Sequence, residues 1–239
     1  MRIPPRVLRT ALVAGALAVV SSALPAQDPV NSFSVTTRAG AVKFDRSASL
    51  ETAPFVGLDA EYGVSRYLSI GTAITVSRPN TRAEDFLTTL VFGIGTTGDT
   101  TLFLQTGQPV NVVEGALLAS LRYPTGRFTP FVSGGVGYYG LFMDPQINRG
   151  TSRMTGFAGS VGGGLRVQLT EQAGLQFDVR DAIFTGYERD ELNPSDGRNP
   201  NIFFLEDFPA PPESKSTVHN LMFSIGFRYV PQGSTGGDQ

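Results

Sequence analysis

The chain has 239 residues, 17% charged and 41% hydrophobic, with a formal net charge of −2. Near-neutral charge gives no basic patch for nucleic acid, and the length suits one domain or two small ones. With no Cys there is no disulfide, thiolate metal site, thiol nucleophile or lipid-modified cysteine. The lone histidine, His219, leaves no His-rich metal site, so neither metal nor cofactor is expected.

Arg2, Arg6 and Arg9 precede an apolar run over 11–20, followed by the small residues Ser21, Ser22 and Ala23. A basic start, a short apolar core and a small-residue cleavage region make a secretory signal peptide. The run is too short to hold a stable anchor across ~30 Å of hydrocarbon. Cleavage is expected after Ala26, with Ala23 the alternative, which divides the chain into a signal peptide (1–26), a main domain (27–230) and a short tail (231–239).

After the signal peptide, apolar residues alternate with small or polar ones in segments bounded by turn residues, the period of β-strands. Strands are expected near 32–44, 54–63, 67–77, 111–123, 128–141, 154–169, 173–185 and 217–230. Tight turns near 63–66, 124–127 and 170–172 alternate with long connections near 45–53, 78–110, 142–153 and 186–216. Short turns at one end and long loops at the other are the pattern of an outer-membrane barrel with periplasmic turns. The segments 86–94 and 100–105 flank a hairpin-like 96–99, which is expected to extend outside the membrane; ten strands is the alternative. The fold class is therefore all-β, a transmembrane antiparallel up-and-down β-barrel of eight strands.

Alternation alone does not say which face is inside. One face of the last segment carries Phe223, Ile225, Phe227 and Tyr229, and the other Ser224, Gly226 and Arg228. The polar faces hold Gly, Ser, Ala and Thr with few charges, whereas a water-facing surface normally carries about a quarter to a third charged residues. An Arg turned to lipid at mid-bilayer costs ~2–4 kcal/mol, so the strand charges should point inward. They are Arg38, Arg122, Arg166, Arg180 and Arg228 against Asp59, Glu61, Glu114 and Asp178, a lumen charge network of five cations and four anions. The apolar face then meets lipid. Tyr62, Tyr67, Tyr123, Phe128 and Tyr229 at the turn ends and Phe44, Tyr138, Phe142, Phe184 and Tyr187 near the loop ends are expected to form two girdles.

The segments 129–139, 162–169, 175–181 and 219–229 make the chain resemble the eight-stranded outer-membrane barrels of the OmpA-like and opacity-protein type. The resemblance implies an integral outer-membrane protein in lipid and lipopolysaccharide. It also implies a closing strand whose Phe223, Ile225, Phe227 and Tyr229 are read by the barrel assembly machinery. The tail is too short for the peptidoglycan-binding domain that some relatives append.

Motifs for chemistry are weak. Residues 135–140 match a dinucleotide fingerprint in letters, but a loop follows where the mechanism needs a helix. Glycines easing barrel curvature are the better reading. The connection 186–216 is acidic but lacks the ligand spacing of a calcium loop. His219 is the sole imidazole base, with Ser216 a candidate hydroxyl partner. The expected function is non-enzymatic: a monomeric barrel with a structural or surface-interaction role through its extracellular loops. The alternatives are a narrow diffusion channel and a lipid-modifying barrel enzyme using His219.

Overall fold

The computed structural model describes residues 31–92, 100–105, 107–143, 152–192 and 212–231. The segment 1–26, expected to be a signal peptide, and the tail beyond 231 lie outside them, as does the centre of the long 186–216 connection.

Period-two alternation builds ten strands: β1 (Phe33–Lys43), β2 (Ala53–Gly63), β3 (Leu68–Ser77), β4 (Leu87–Phe92), β5 (Thr100–Gln105), β6 (Asn111–Arg122), β7 (Phe128–Met143), β8 (Ser152–Gln168), β9 (Ala173–Thr185) and β10 (Thr217–Tyr229). Eight of them close an antiparallel barrel in the order β1-β10-β9-β8-β7-β6-β3-β2. Among the described residues, β4 and β5 pair only with each other, in a separate two-stranded sheet that falls between β3 and β6 in the chain. The ten-strand alternative is thereby excluded. Closure is made by β1 on β10, in register from Val35↔Tyr229 to Lys43↔Leu221. A closed ladder satisfies every strand edge, the condition for β-structure in hydrocarbon.

A tilted membrane strand needs ~9–11 residues, and β7 and β8 run longer, carrying the sheet beyond the apolar band at the loop end. The opposite end is fastened by short turns with local hydroxyl caps. Ser65 Oγ accepts from the backbone N–H of Leu68 at 3.0 Å, and Thr170 Oγ1 from that of Ala173 at 3.0 Å. Between β6 and β7, Gly126 takes φ +66°, a left-handed conformation that a side chain disfavours.

Outward positions are apolar and exposed, among them Val56, Ile74, Leu117, Val136, Phe157 and Ile225. Inward positions are small or polar towards the turn end. The glycines of 135–140 answer to close packing: a Cβ on Gly137 would fall 2.0 Å from the Gly115 carbonyl oxygen. Towards the loop end the interior changes character and becomes an apolar cluster that includes Val42, Phe55, Leu141 and Met222.

Candidate functional site in the barrel interior

All nine expected lumen charges lie on inward positions, each less than 7% exposed. Burial of a charge is tolerated only with a partner, and the interior supplies partners from opposed strands. In one group, Arg38 Nη2 on β1 is 2.9 Å from Asp59 Oδ1 on β2. Arg180 Nη2 on β9 reaches the other Asp59 oxygen at 3.5 Å, and Arg38 Nη1 lies 3.7 Å from Asp178 Oδ1. Arg38 has room because its cross-strand neighbours are Gly57 and Gly226. A Cβ on Gly226 would come within 3.1 Å of the Arg38 side chain.

The second group bars the lumen. Arg166 Nη2 on β8 donates to both oxygens of Glu61 on β2, at 2.6 and 2.8 Å. β2 and β8 are diametrically opposite in the strand order, so this pair crosses the full width of the barrel. Ser69 Oγ donates to Glu61 Oε2 at 3.2 Å, and the Arg166 guanidinium carbon sits 4.6 Å from the Phe131 ring centroid. Gln176 joins the two groups, accepting from Arg166 Nε at 2.9 Å and donating to Asp178 Oδ2 at 3.1 Å. Arg228 interacts electrostatically with Glu61, and Glu114 with Arg180 and Arg38. Arg122 Nη2 donates to the Ser65 carbonyl at 2.8 Å, holding its guanidinium against the β2–β3 turn.

Gln176 has no charge signal, so alternation places it inward without marking it as a bridge. The apolar cluster above the charges carries a similar lesson. Phe44, Phe184 and Tyr187, expected in the loop-end girdle, are turned into the barrel and buried. Of that set, Tyr138 faces outward and Phe142 is half-buried on the outer face, whereas the turn-end aromatics Tyr62, Tyr67, Tyr123, Phe128 and Tyr229 are all exposed outside. Inside, Tyr139 stacks on Phe184 with ring centroids 4.2 Å apart. Burying rings in the mouth of the barrel gains more than leaving them at its polar rim.

The connection between β1 and β2 lies across this mouth. Its 3-10 turn, Arg46–Ala48, starts at Asp45, whose Oδ1 accepts from the Ser47 backbone N–H at 2.8 Å. Ala48 and Leu50 are fully buried, and Tyr187 donates its hydroxyl to the Ala48 carbonyl at 2.8 Å. From outside, Arg46 grips Asp85 with both guanidinium nitrogens, one at 2.6 Å, and Arg82 Nε donates to the Leu50 carbonyl at 3.1 Å. Burial alone would raise the Asp85 carboxyl, but the Arg46 hydrogen bonds and the Arg46 and Arg82 charges hold it below the ordinary carboxylate value.

His219 is on the outer face at the loop end, with its Nδ1 2.7 Å from Asp181 Oδ2. Ser216 engages the Tyr187 backbone N–H through its own carbonyl at 3.0 Å. Phe223, Ile225, Phe227 and Tyr229 all project outward from β10.

Residues 11–204 match the family model of the outer membrane protein beta-barrel domain. The chain belongs to this family of bacterial outer-membrane barrels, whose setting is lipid and lipopolysaccharide. Among solved structures it is similar to Neisserial surface protein A, at 12% identity and a TM-score of 0.51, covering 82% of this chain and 96% of that one. Another neighbour is the outer membrane protein OprG from Pseudomonas aeruginosa, at 14% identity and a TM-score of 0.43, covering 87% and 99%. The first likeness is one of fold. No curated protein matches the chain.

Proposed function

We propose that this chain is a plugged outer-membrane barrel with a non-enzymatic structural or surface-interaction role. In this reading, segment 1–26 directs export and is removed, 27–230 forms the barrel, and 231–239 is a periplasmic tail. The short turns face the periplasm and the long connections face outward, as the family architecture favours. Phe223, Ile225, Phe227 and Tyr229 form the strand that the assembly machinery reads, and the barrel works as a monomer.

One observation carries the reading against a diffusion channel: the interior is obstructed at two levels. The Arg166–Glu61 pair spans the lumen, and above it an apolar plug leaves Leu50, Val110 and Val218 at 0% exposure. A conduit for small solutes needs a continuous wet path, and eight strands leave only enough width for side chains to fill. Planar bilayers containing the folded full chain are expected to stay electrically silent. Stable unit conductances would contradict the proposal.

The short His219–Asp181 contact supports a second reading, an imidazole held in one orientation at the lipid-facing surface. Its test is turnover of lipid A or phospholipid. The non-enzymatic reading expects none, and turnover by the wild type that disappears in His219→Ala would replace it.

A further inference from the structure

The outer surface is not uniformly convex. On β3, β6, β7 and β8 it holds a groove of about 590 Å³, within the roughly 300–1,000 Å³ of small-molecule sites. Its floor is Gly115, paired with Ile74 on one side and Tyr138 on the other. A Cβ at Gly115 would meet nothing within 4 Å, so the missing side chain leaves open space. Leu117, Val136 and Phe157 complete the apolar wall, and Phe157 lies against Tyr138 with ring centroids 4.6 Å apart.

Farther along β7 and β8, towards the loop end, the two strands present a fixed cation. Arg153 is paired in register with Phe142, and its guanidinium carbon lies 5.3 Å from that ring's centroid. Cation–π contact holds the exposed side chain over the outer face instead of letting it sweep through solvent. From Tyr138 to Phe142 is four residues, or about 13 Å of strand and about 10 Å along the membrane normal at a tilt of ~40°. The cation thus lies nearer the loop-end headgroups than the apolar groove by about that distance. A second groove of about 570 Å³, on β1, β8, β9 and β10, is lined by Ala39, Gly163, Phe177 and Phe223 among others. Among the described residues, no ring-held cation stands above that one.

We propose that the Gly115 groove and Arg153 together bind one molecule of a phosphorylated, multiply acylated glycolipid of the outer leaflet. One acyl chain occupies the groove against Tyr138 and Phe157, and a phosphate sits on the Arg153 guanidinium. The site rests on the membrane-barrel reading with loops outward. It makes the β7–β8 face a specific lipid contact instead of an annular one.

The test is native mass spectrometry of the detergent-folded full chain loaded with purified bis-phosphorylated lipid A, each sample checked for a gel shift between unboiled and boiled protein. The wild type is expected to retain one lipid A under activation that strips the others. Gly115→Leu, which fills open space on the outer face, and Arg153→Gln should each lower that retention roughly tenfold or more. Ala39→Leu, in the other groove, should not. Dephosphorylated lipid A should be held by the wild type only as weakly as lipid A is by Arg153→Gln. Equal retention by the wild type and both variants overturns the site while a normal gel shift leaves the barrel standing. Phosphatidylethanolamine retained with the same dependence on Gly115 and Arg153 overturns the identity of the ligand. Loss of the gel shift in the wild type overturns the membrane-barrel reading and the site with it.

Discussion

Glu61 and Arg166 meet across the lumen at 2.6 Å with both side chains buried, and neither tolerates losing the other. Removing one partner of a buried pair costs ~3–5 kcal/mol, because the survivor keeps its charge without compensation. Glu61→Gln should therefore lower unfolding stability in lipid vesicles by about that amount, whereas Arg166→Met combined with Glu61→Leu should recover part of the loss, Arg228 still lacking Glu61. Equal destabilisation by the single and double variants would show that the pair does not act as a unit. Steric limits are as sharp at Gly137, where an added Cβ would overlap backbone that cannot swing aside. Gly137→Ala should cost ~2–4 kcal/mol by urea unfolding in the same lipid vesicles, and a cost below ~0.5 kcal/mol would refute close packing there. That these nine charges point inward was legible in the sequence, since period two and the cost of charge in lipid leave no other face. Their pairing was not, because Glu61 and Arg166 lie on diametrically opposite strands and nothing local encodes which residues meet across a ring.

At the scale of elements, the eight membrane strands coincide with their expected segments to within two residues, because each is a long alternating run between turn signals. The loop-end interior was harder to read. Phe44, Phe184 and Tyr187 look like rim aromatics by position, but they fill the mouth under the β1–β2 connection. A ring near a strand end fits a headgroup belt and a plug equally well until its inward or outward phase is known. The Arg46–Asp85 clasp outside that plug makes the connection sensitive to acid. The Asp85 carboxyl is depressed in the folded state, by Arg46 and Arg82 against the opposing effect of burial. Its stabilising contribution is complete above the unfolded value of ~3.9 and is lost as pH falls through the lower folded value. Amide protection at 46–50, corrected for intrinsic exchange, should be flat from about pH 7 to 5 and collapse in stronger acid. Asp85→Asn should weaken protection throughout and remove its pH dependence; a wild type equally protected at about pH 3 and 7 would contradict the clasp.

The whole molecule is an inside-out arrangement relative to a water-soluble barrel. Its nine lumen charges are enclosed, and its outer wall carries Val, Leu, Ile and aromatic side chains between aromatic strand ends. Membership of an outer-membrane barrel family accounts for that inversion, and the closed ladder makes it stable in a solvent that offers no hydrogen bonds. The roles of loops, lumen and lipid contact all depend on which face of the sheet meets hydrocarbon. Because the chain has no Cys, single cysteines can be placed along β10 without removing any native thiol. Nitroxides at 221, 223, 225 and 227 in lipid vesicles should collide freely with oxygen and poorly with a water-soluble nickel complex, while those at 222, 224 and 226 should be shielded from both. The opposite alternation, or nickel access at 223 and 227, would contradict the account.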